Sequence, residues 1–419
     1  MTPASPFLNR INRALAWAHQ TGLPVPSLDL AAIEAEACKR EKADRVPGAG
    51  WRKPLSVLLW DLEEHAALTP LGRVIACGQM VGQLRGRIRA ERLLRAHPEI
   101  VQQRIDRPVI IVGPMRSGTT RIQRLLACDP CFAYTRMFEG MEPVPFSGRG
   151  LDRRLPIAAA VHAFMGRANP ELQRIHPTSP LQPDEEFGLH SFSFHGAQYE
   201  VQWNVPTFAR LAEESDTTGA YREFATLLKI MAWHRRDPPG KIQLLKSPQF
   251  TADLPFLLRV FPDASLICLS RDPVAVVGSA ASLVWHQQRL HSDAVDPQRV
   301  GREWLRKSAD RFRRTSSALA AHPEVDRIHV SFDEVSHNWQ ATMRRIYDWL
   351  ELPLTPQVHN RMGSYLQRSR SHRGHAYSLD QFGLSATDVL PLFGGSAPQS
   401  QEAAKTAFTS RPRQVSLSS

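Results

Sequence analysis

The 419-residue chain has little of what a disulfide scaffold, a membrane span or a metal cluster needs. Its five cysteines, Cys38, Cys77, Cys128, Cys131 and Cys268, are few and scattered, which suits a reducing compartment better than a disulfide framework. Cys128 and Cys131 form a C-x-x-C, but no second pair or neighbouring histidine completes a zinc site, so no metal is expected. No apolar run approaches the ~20 residues that cross a bilayer, and the opening MTPASPFLNRINRALAW lacks the apolar block of a secretory signal. The expected compartment is the cytoplasm. Zinc-finger spacing, RNA-recognition signatures and basic–aromatic alternation are missing too, so nucleic acid is not the expected partner. Acidic residues are outnumbered, 41 Asp+Glu against 52 Lys+Arg, giving a formal charge of +11. That balance points to an anionic partner, and a small polyanion fits best.

What is present is strand and helix text in alternation. Two segments, LSVLLWDLEEHAAL and RVIACGQMVGQLRGRIRAERLLRA, carry apolar residues at helical intervals and predict a helical N-terminal extension over residues 1–106. From residue 107 short apolar runs, RPVIIVG, KIQLLKS, ASLICLS and DRIHVSF, read as buried parallel strands, each followed by a helical pattern. The expected fold is α/β: a P-loop-type three-layer domain with a central parallel sheet over residues 107–393. It is interrupted by a substrate-facing insertion at about 139–240 that is rich in aromatics. For any single aromatic there, a place in an extra helical core layer is an equal expectation. Residues 394–419 are polar and aperiodic and read as a disordered tail.

Two stretches carry chemistry. The first, VIIVGPMRSGTTRIQRLL, is strand, glycine loop and helix, which aims backbone N–H groups and a positive helix end at one point and suits a phosphate. It departs from G-x-x-x-x-G-K-[ST], because Thr119 stands where the lysine belongs and Arg116 is the nearest cation. Ser117, Gly118, Thr119 and Thr120 complete the loop. No strand-end aspartate offers itself as a metal partner. In the second stretch, Lys246 ends KIQLLK and Arg271 follows LICLS, so both cations should open onto the carboxyl edge of the sheet, where ligands of open α/β folds sit. Asp272 and Pro273 then read as the cap and first residue of a helix that carries Ser279. An internal salt bridge would explain any one of these cations. Three on one edge favour a polyanionic ligand.

In combination these motifs resemble the sulfotransferases that use 3′-phosphoadenosine 5′-phosphosulfate (PAPS), in the bacterial-type branch related to the tyrosylprotein sulfotransferases. The resemblance spans roughly residues 55–393. It implies that GPMRSGTT, with Arg116, Ser117, Gly118, Thr119 and Thr120, holds the 5′-phosphosulfate, and that Arg271 and Ser279, similar to R-x7-S, bind the 3′-phosphate. It implies also that Lys246 steadies the bridging oxygen and the transferring sulfonate, and that RSRSHRGHAYSLDQFGL, with Arg373, Gly374 and His375, closes over the cofactor. Cytosolic members carry a lysine in place of Arg116 and a histidine base where this chain has Pro248. The base is therefore expected as in the tyrosylprotein branch, a glutamate soon after the first helix, here Glu139 with Glu142 as rival. A further acidic group, Asp184, Glu185 and Glu186 with His190 four residues on, reads as a helix N-terminus before it reads as catalysis. The implied activity is sulfonate transfer from PAPS to a hydroxyl or amine of a small-molecule or peptide acceptor. A magnesium-dependent small-molecule kinase and a non-catalytic nucleotide-binding protein are the competing readings.

Overall fold

The computed structural model describes residues 5–146, 152–175, 177–369 and 378–394. Helices α1 (Pro6–Gln20), α2 (Leu30–Glu41), α3 (Arg52–Glu64) and α4 (Pro70–Ala96) come first. Strand β1 (Val109–Val112) leads into α5 (Thr119–Leu126), and β2 (Phe132–Tyr134) into α6 (Met137–Met141). Then follow α7 (Arg154–Ala168), α8 (Pro170–Ile175), α9 (Phe187–Ser191), α10 (Ala197–Gln202), α11 (Pro206–Glu214) and α12 (Thr218–Arg235). The chain returns to the sheet with β3 (Ile242–Lys246), α13 (Phe250–Val260), β4 (Ser265–Ser270), α14 (Pro273–Gln288), α15 (Pro297–Ala321) and β5 (Arg327–Ser331). It continues with α16 (Phe332–His337), α17 (Trp339–Trp349) and α18 (Pro356–Ser369).

The five strands form one parallel sheet in the order β2-β3-β1-β4-β5. All four apolar runs read as strands are strands. The short edge strand β2 was not anticipated, since three residues carry no periodicity. Both faces are covered, as a wholly parallel sheet requires. On one side Ile110, Val112, Leu245 and Leu266 pack with α12 and α13 through Phe224, Leu228, Leu254 and Leu257. On the other, Val109, Ile111, Leu244 and Ile267 meet Ile122 and Leu125 of α5 and Met343 and Ile346 of α17. Strand order places β1 between the ends of β3 and β4, so the loop after β1 lies between Lys246 and Arg271.

The aromatics of residues 187–208 take the core role. Phe194, Tyr199, Trp203 and Phe208 are buried together with Leu55, Leu58, Leu84 and Ile88 of α3 and α4, in one cluster. Stacking of Tyr199 on Trp203 (11° between planes) and an edge contact from Phe208 fill that core. The N-terminal helices and the middle of the insertion are thus one packed layer. Asp61 seals it by accepting the Phe208 backbone N–H at 2.7 Å.

Candidate active site

Arg116 (φ 70°) and Gly118 (φ 90°) both hold left-handed backbone in the loop after β1. Gly118 is the residue before α5 and packs under the Phe332 ring, where a Cβ would come within 3.0 Å. Left-handed backbone is inexpensive for glycine and strained for arginine, so the loop stores strain at its cation. Such turns make successive N–H groups converge on a concave anion seat. Inside it the buried Ser117 Oγ has no hydrogen-bond partner, although its N–H donates to the Pro114 carbonyl at 3.1 Å. An orphaned hydroxyl at the mouth of a helix fits a missing anionic oxygen.

The three sequence-derived cations converge. Arg116 Nε donates to Ser279 Oγ on α14 at 3.0 Å, and Arg271 Nη1 donates to the Arg116 carbonyl at 2.5 Å. The Arg271 guanidinium lies over the Phe332 ring, 4.1 Å from its centroid, which fixes its plane. Asp272 caps α14 by accepting the Ala275 N–H at 2.8 Å, as its position implies. Lys246, 0% exposed, points Nζ at Thr120 Oγ1 (3.3 Å) and Glu185 Oε1 (2.6 Å). Arg373, Gly374 and His375 lie outside the described residues.

The acids sort differently from expectation. Glu139 is 1% exposed and reaches back to the start of α6, accepting the Arg136 backbone N–H at 3.0 Å. Its oxygens also meet Arg136 Nη2 at 2.7 Å and Arg235 Nη1 at 3.3 Å. Burial alone would raise this carboxyl, but Arg235 and then Arg136 outweigh it and hold it below the usual range. A carboxylate held this way is a poor proton acceptor. Glu142 is engaged with Arg89 of α4, Oε1 to Nη2 at 2.8 Å. Glu185 is 11% exposed and reaches Lys246. Glu186 is buried beside it and accepts the Lys246 backbone N–H at 2.9 Å, while its Oε1 lacks a partner. Burial pushes the Glu186 carboxyl up to about 8, with the Lys246 N–H pulling the other way. It precedes α9 without capping it. His190 is buried among Tyr221, Phe224 and Phe250, and burial lowers it to about 3; it is a core histidine.

Backbone pairing explains how the acids arrive. Residues 135–138 run beside 180–184: Met137 N–H donates to Gln182 O (3.1 Å), Asp184 N–H to Thr135 O (2.9 Å), and Arg136 bridges Pro183. Gly188 then crosses Gly140 so closely that a Cβ on Gly188 would overlap the Gly140 carbonyl. No local pattern in the sequence signals this crossing. Two glycines 48 positions apart carry it.

Residues 108–356 match the model of the Sulfotransferase family. The chain belongs to the sulfotransferase family. It is 24% identical over 292 residues, 65% of this chain and 70% of its relative, to the omega-hydroxy-beta-dihydromenaquinone-9 sulfotransferase Stf3 of Mycobacterium bovis. Among solved structures, sulfotransferase STF1 from Mycobacterium tuberculosis superposes with a TM-score of 0.77 at 23% identity, covering 89% of this chain and all of that one. Sulfotransferase STF9 from Mycobacterium avium gives 0.75 at 24% identity, covering 90% and 97%. The sulfotransferase is therefore an α/β enzyme that transfers sulfonate groups. Among its described residues no helix is long and apolar enough to cross a membrane, and no three His, Cys, Asp or Glu side chains are grouped to hold a metal ion.

Proposed function

We propose that the sulfotransferase moves the sulfonate of PAPS to a hydroxyl of a small acceptor with an apolar body. The observation that carries this reading is the hydrogen-bonded chain Ser279–Arg116–Arg271 lying at the same sheet edge as Lys246. A ligand with two separated phosphate centres matches it: the loop from Gly113 to Thr120 takes the 5′-phosphosulfate, and Arg271 with Ser279 takes the 3′-phosphate. Arg373, Gly374 and His375 complete the cofactor contacts in this reading. Sulfonate transfer builds negative charge on the leaving phosphate as the sulfur–oxygen bond opens. Fixed cations and loop amides aimed there lower the barrier without rearranging, as in phosphoryl transfer. Arg116 and Lys246 supply that charge, and no divalent metal is called on.

The acceptor class follows from two supports. The related mycobacterial Stf3 acts on a hydroxylated dihydromenaquinone. In this chain, the elements next to the acid segment expose apolar side chains, Met141 at the end of α6, Phe146 after it, and Ile157 and Val161 on α7. An apolar acceptor would have somewhere to rest while its hydroxyl enters the edge of the sheet.

Calorimetry in EDTA tests the nucleotide. Adenosine 3′,5′-bisphosphate is expected to bind, and Arg271→Ala to weaken it by tens of fold, about the 1.5–3 kcal/mol of a hydrogen bond to a charged group. Tight magnesium-dependent binding of ATP with no response to the bisphosphate would instead make the protein a kinase. The acceptor is then found by incubating labelled PAPS with a panel of hydroxylated lipids, phenols and sugars and scoring the mass gain.

A further inference from the structure

The geometry points to Glu185, not Glu139, as the base that takes the acceptor's proton, with Glu139 as a positioning residue that holds the Glu185 segment in place. This rests on the sulfonate-transfer reading above and assigns one more role within that site.

Reach separates the two carboxylates. In an in-line transfer the nucleophilic oxygen approaches sulfur opposite the leaving phosphate oxygen, and the base must lie about 2.6–3.2 Å from the nucleophile. Lys246 Nζ, aimed at the transferring sulfonate, marks where that group sits. A carboxylate 2.6 Å from the same Nζ is within the width of one sulfonate of the reacting atoms. An ammonium carries three donors, and Thr120 and Glu185 account for two, which leaves the third for an arriving anion. With that anion sharing the lysine's charge, Glu185 is the carboxylate nearest the reacting atoms and can accept a proton.

Glu139 lacks that access. Its Oε2 receives the Arg136 N–H and Nε and the Arg235 guanidinium, and its Oε1 receives Arg136 Nη2. What it fixes is Arg136, whose backbone bridges Pro183, two residues before Glu185. The Gly140–Gly188 crossing closes the other side of the same segment, and a Cβ on Gly140 would come 3.0 Å from the Glu185 carbonyl. Glu186 pins the strand end itself through the Lys246 N–H. Base and lysine are thereby held by adjacent residues of one loop and one strand.

The step balances as follows. The acceptor O–H oxygen bonds to sulfur, the bond from sulfur to the 5′-phosphate oxygen breaks and leaves its electron pair on the phosphate, and the proton passes to Glu185. Water as acceptor gives sulfate and adenosine 3′,5′-bisphosphate by the same route, so the base can be tested without the physiological acceptor.

The experiment follows bisphosphate release from PAPS in water under single-turnover conditions, beside calorimetry with adenosine 3′,5′-bisphosphate and a melting curve for each protein. Glu185→Gln is expected to bind the bisphosphate at least as tightly as the parent and to release it about a hundredfold or more slowly. Glu185→Asp, which keeps a carboxylate, is expected to recover part of that rate, and serves alone should the glutamine variant not fold. Glu139→Gln is expected to lower the melting temperature. The inference is overturned if Glu185→Gln, or Glu185→Asp relative to Glu185→Ala, leaves the rate unchanged, or if the rate falls in Glu139→Gln at an unaltered melting temperature. Failure of the parent to bind the bisphosphate at all would instead remove the PAPS reading.

Discussion

In the proposed reaction the loop after β1 and the acid-bearing segment around Glu185 act together, but they are built in opposite ways. The loop is local: Gly113 to Thr120 fold on themselves, with strand and helix on either side fixing the direction of every N–H. The acid segment is assembled at long range, from residues 135–140 laid against 180–188 and locked by Glu139, Arg136 and Arg235. Local construction makes the fold of the loop itself robust to change elsewhere. Long-range construction makes the acid site dependent on residues that never meet the substrate.

That difference is broken most severely at Glu139. Glu139→Gln leaves Arg136 without its buried counter-ion and Arg235 with Asp237 alone, and is expected to cost about 3–5 kcal/mol of stability, read from denaturant midpoints, while the loop still binds nucleotide. Next in size is Lys246→Ala, which removes a fixed charge from the site of transfer. It is expected to slow bisphosphate release in a single turnover about 10²–10³-fold, with little change in unfolding beyond the loss of the Glu185 pair. Gly188→Ala drives a methyl into the Gly140 carbonyl and is expected to cost about 1–3 kcal/mol and to reduce turnover, whereas nucleotide affinity measured by calorimetry stays near that of the parent.

The last effect is a slope and not a single loss. Glu186 binds its proton more tightly in the folded chain, with its carboxyl pushed up to about 8, than the ordinary 4.5 of an unfolded glutamate. Between those values the folded state holds the extra proton. Its contribution to stability is therefore full below about pH 4.5 and is lost as pH rises through about 8, at up to about 1.4 kcal/mol per pH unit. Unfolding free energies measured from pH 5 to 8 are expected to fall less steeply in Glu186→Gln than in the parent.

The same contrast governs what could be read from the chain. Four strands announced themselves as apolar β-branched runs, and the loop, Lys246 and Arg271 were legible because each sits at the end of such a run, where topology alone puts them on one edge. Strand β2 is three residues, Phe132–Tyr134, and helix α2 has weak amphipathic patterning, so neither stood out. The aromatics from Phe194 to Phe208 looked equally suited to a substrate wall or a core, and burial against α3 and α4 decides for the core. Glu139 stood out because the resemblance implies a glutamate base soon after the first helix, and it lies near that place. Its pairing with Arg136, three residues before, is local, but its second arginine, Arg235, 96 residues away, has no signature that spacing could reveal. Glu185 was visible only as one of an acidic group read first as a helix N-terminus, because its partner, Lys246, lies 61 residues on and becomes its neighbour only through the sheet.

The most direct measurement for the central claim is amide hydrogen exchange with and without adenosine 3′,5′-bisphosphate in EDTA. Slowed exchange at residues 113–120 and 271–279 is the predicted result, because the loop N–H groups would face one phosphate centre and the Arg271 and Ser279 side chains, held by the other, would damp opening of the start of α14. Unchanged exchange in both segments at saturating nucleotide, or protection elsewhere with these two left as they were, would contradict it.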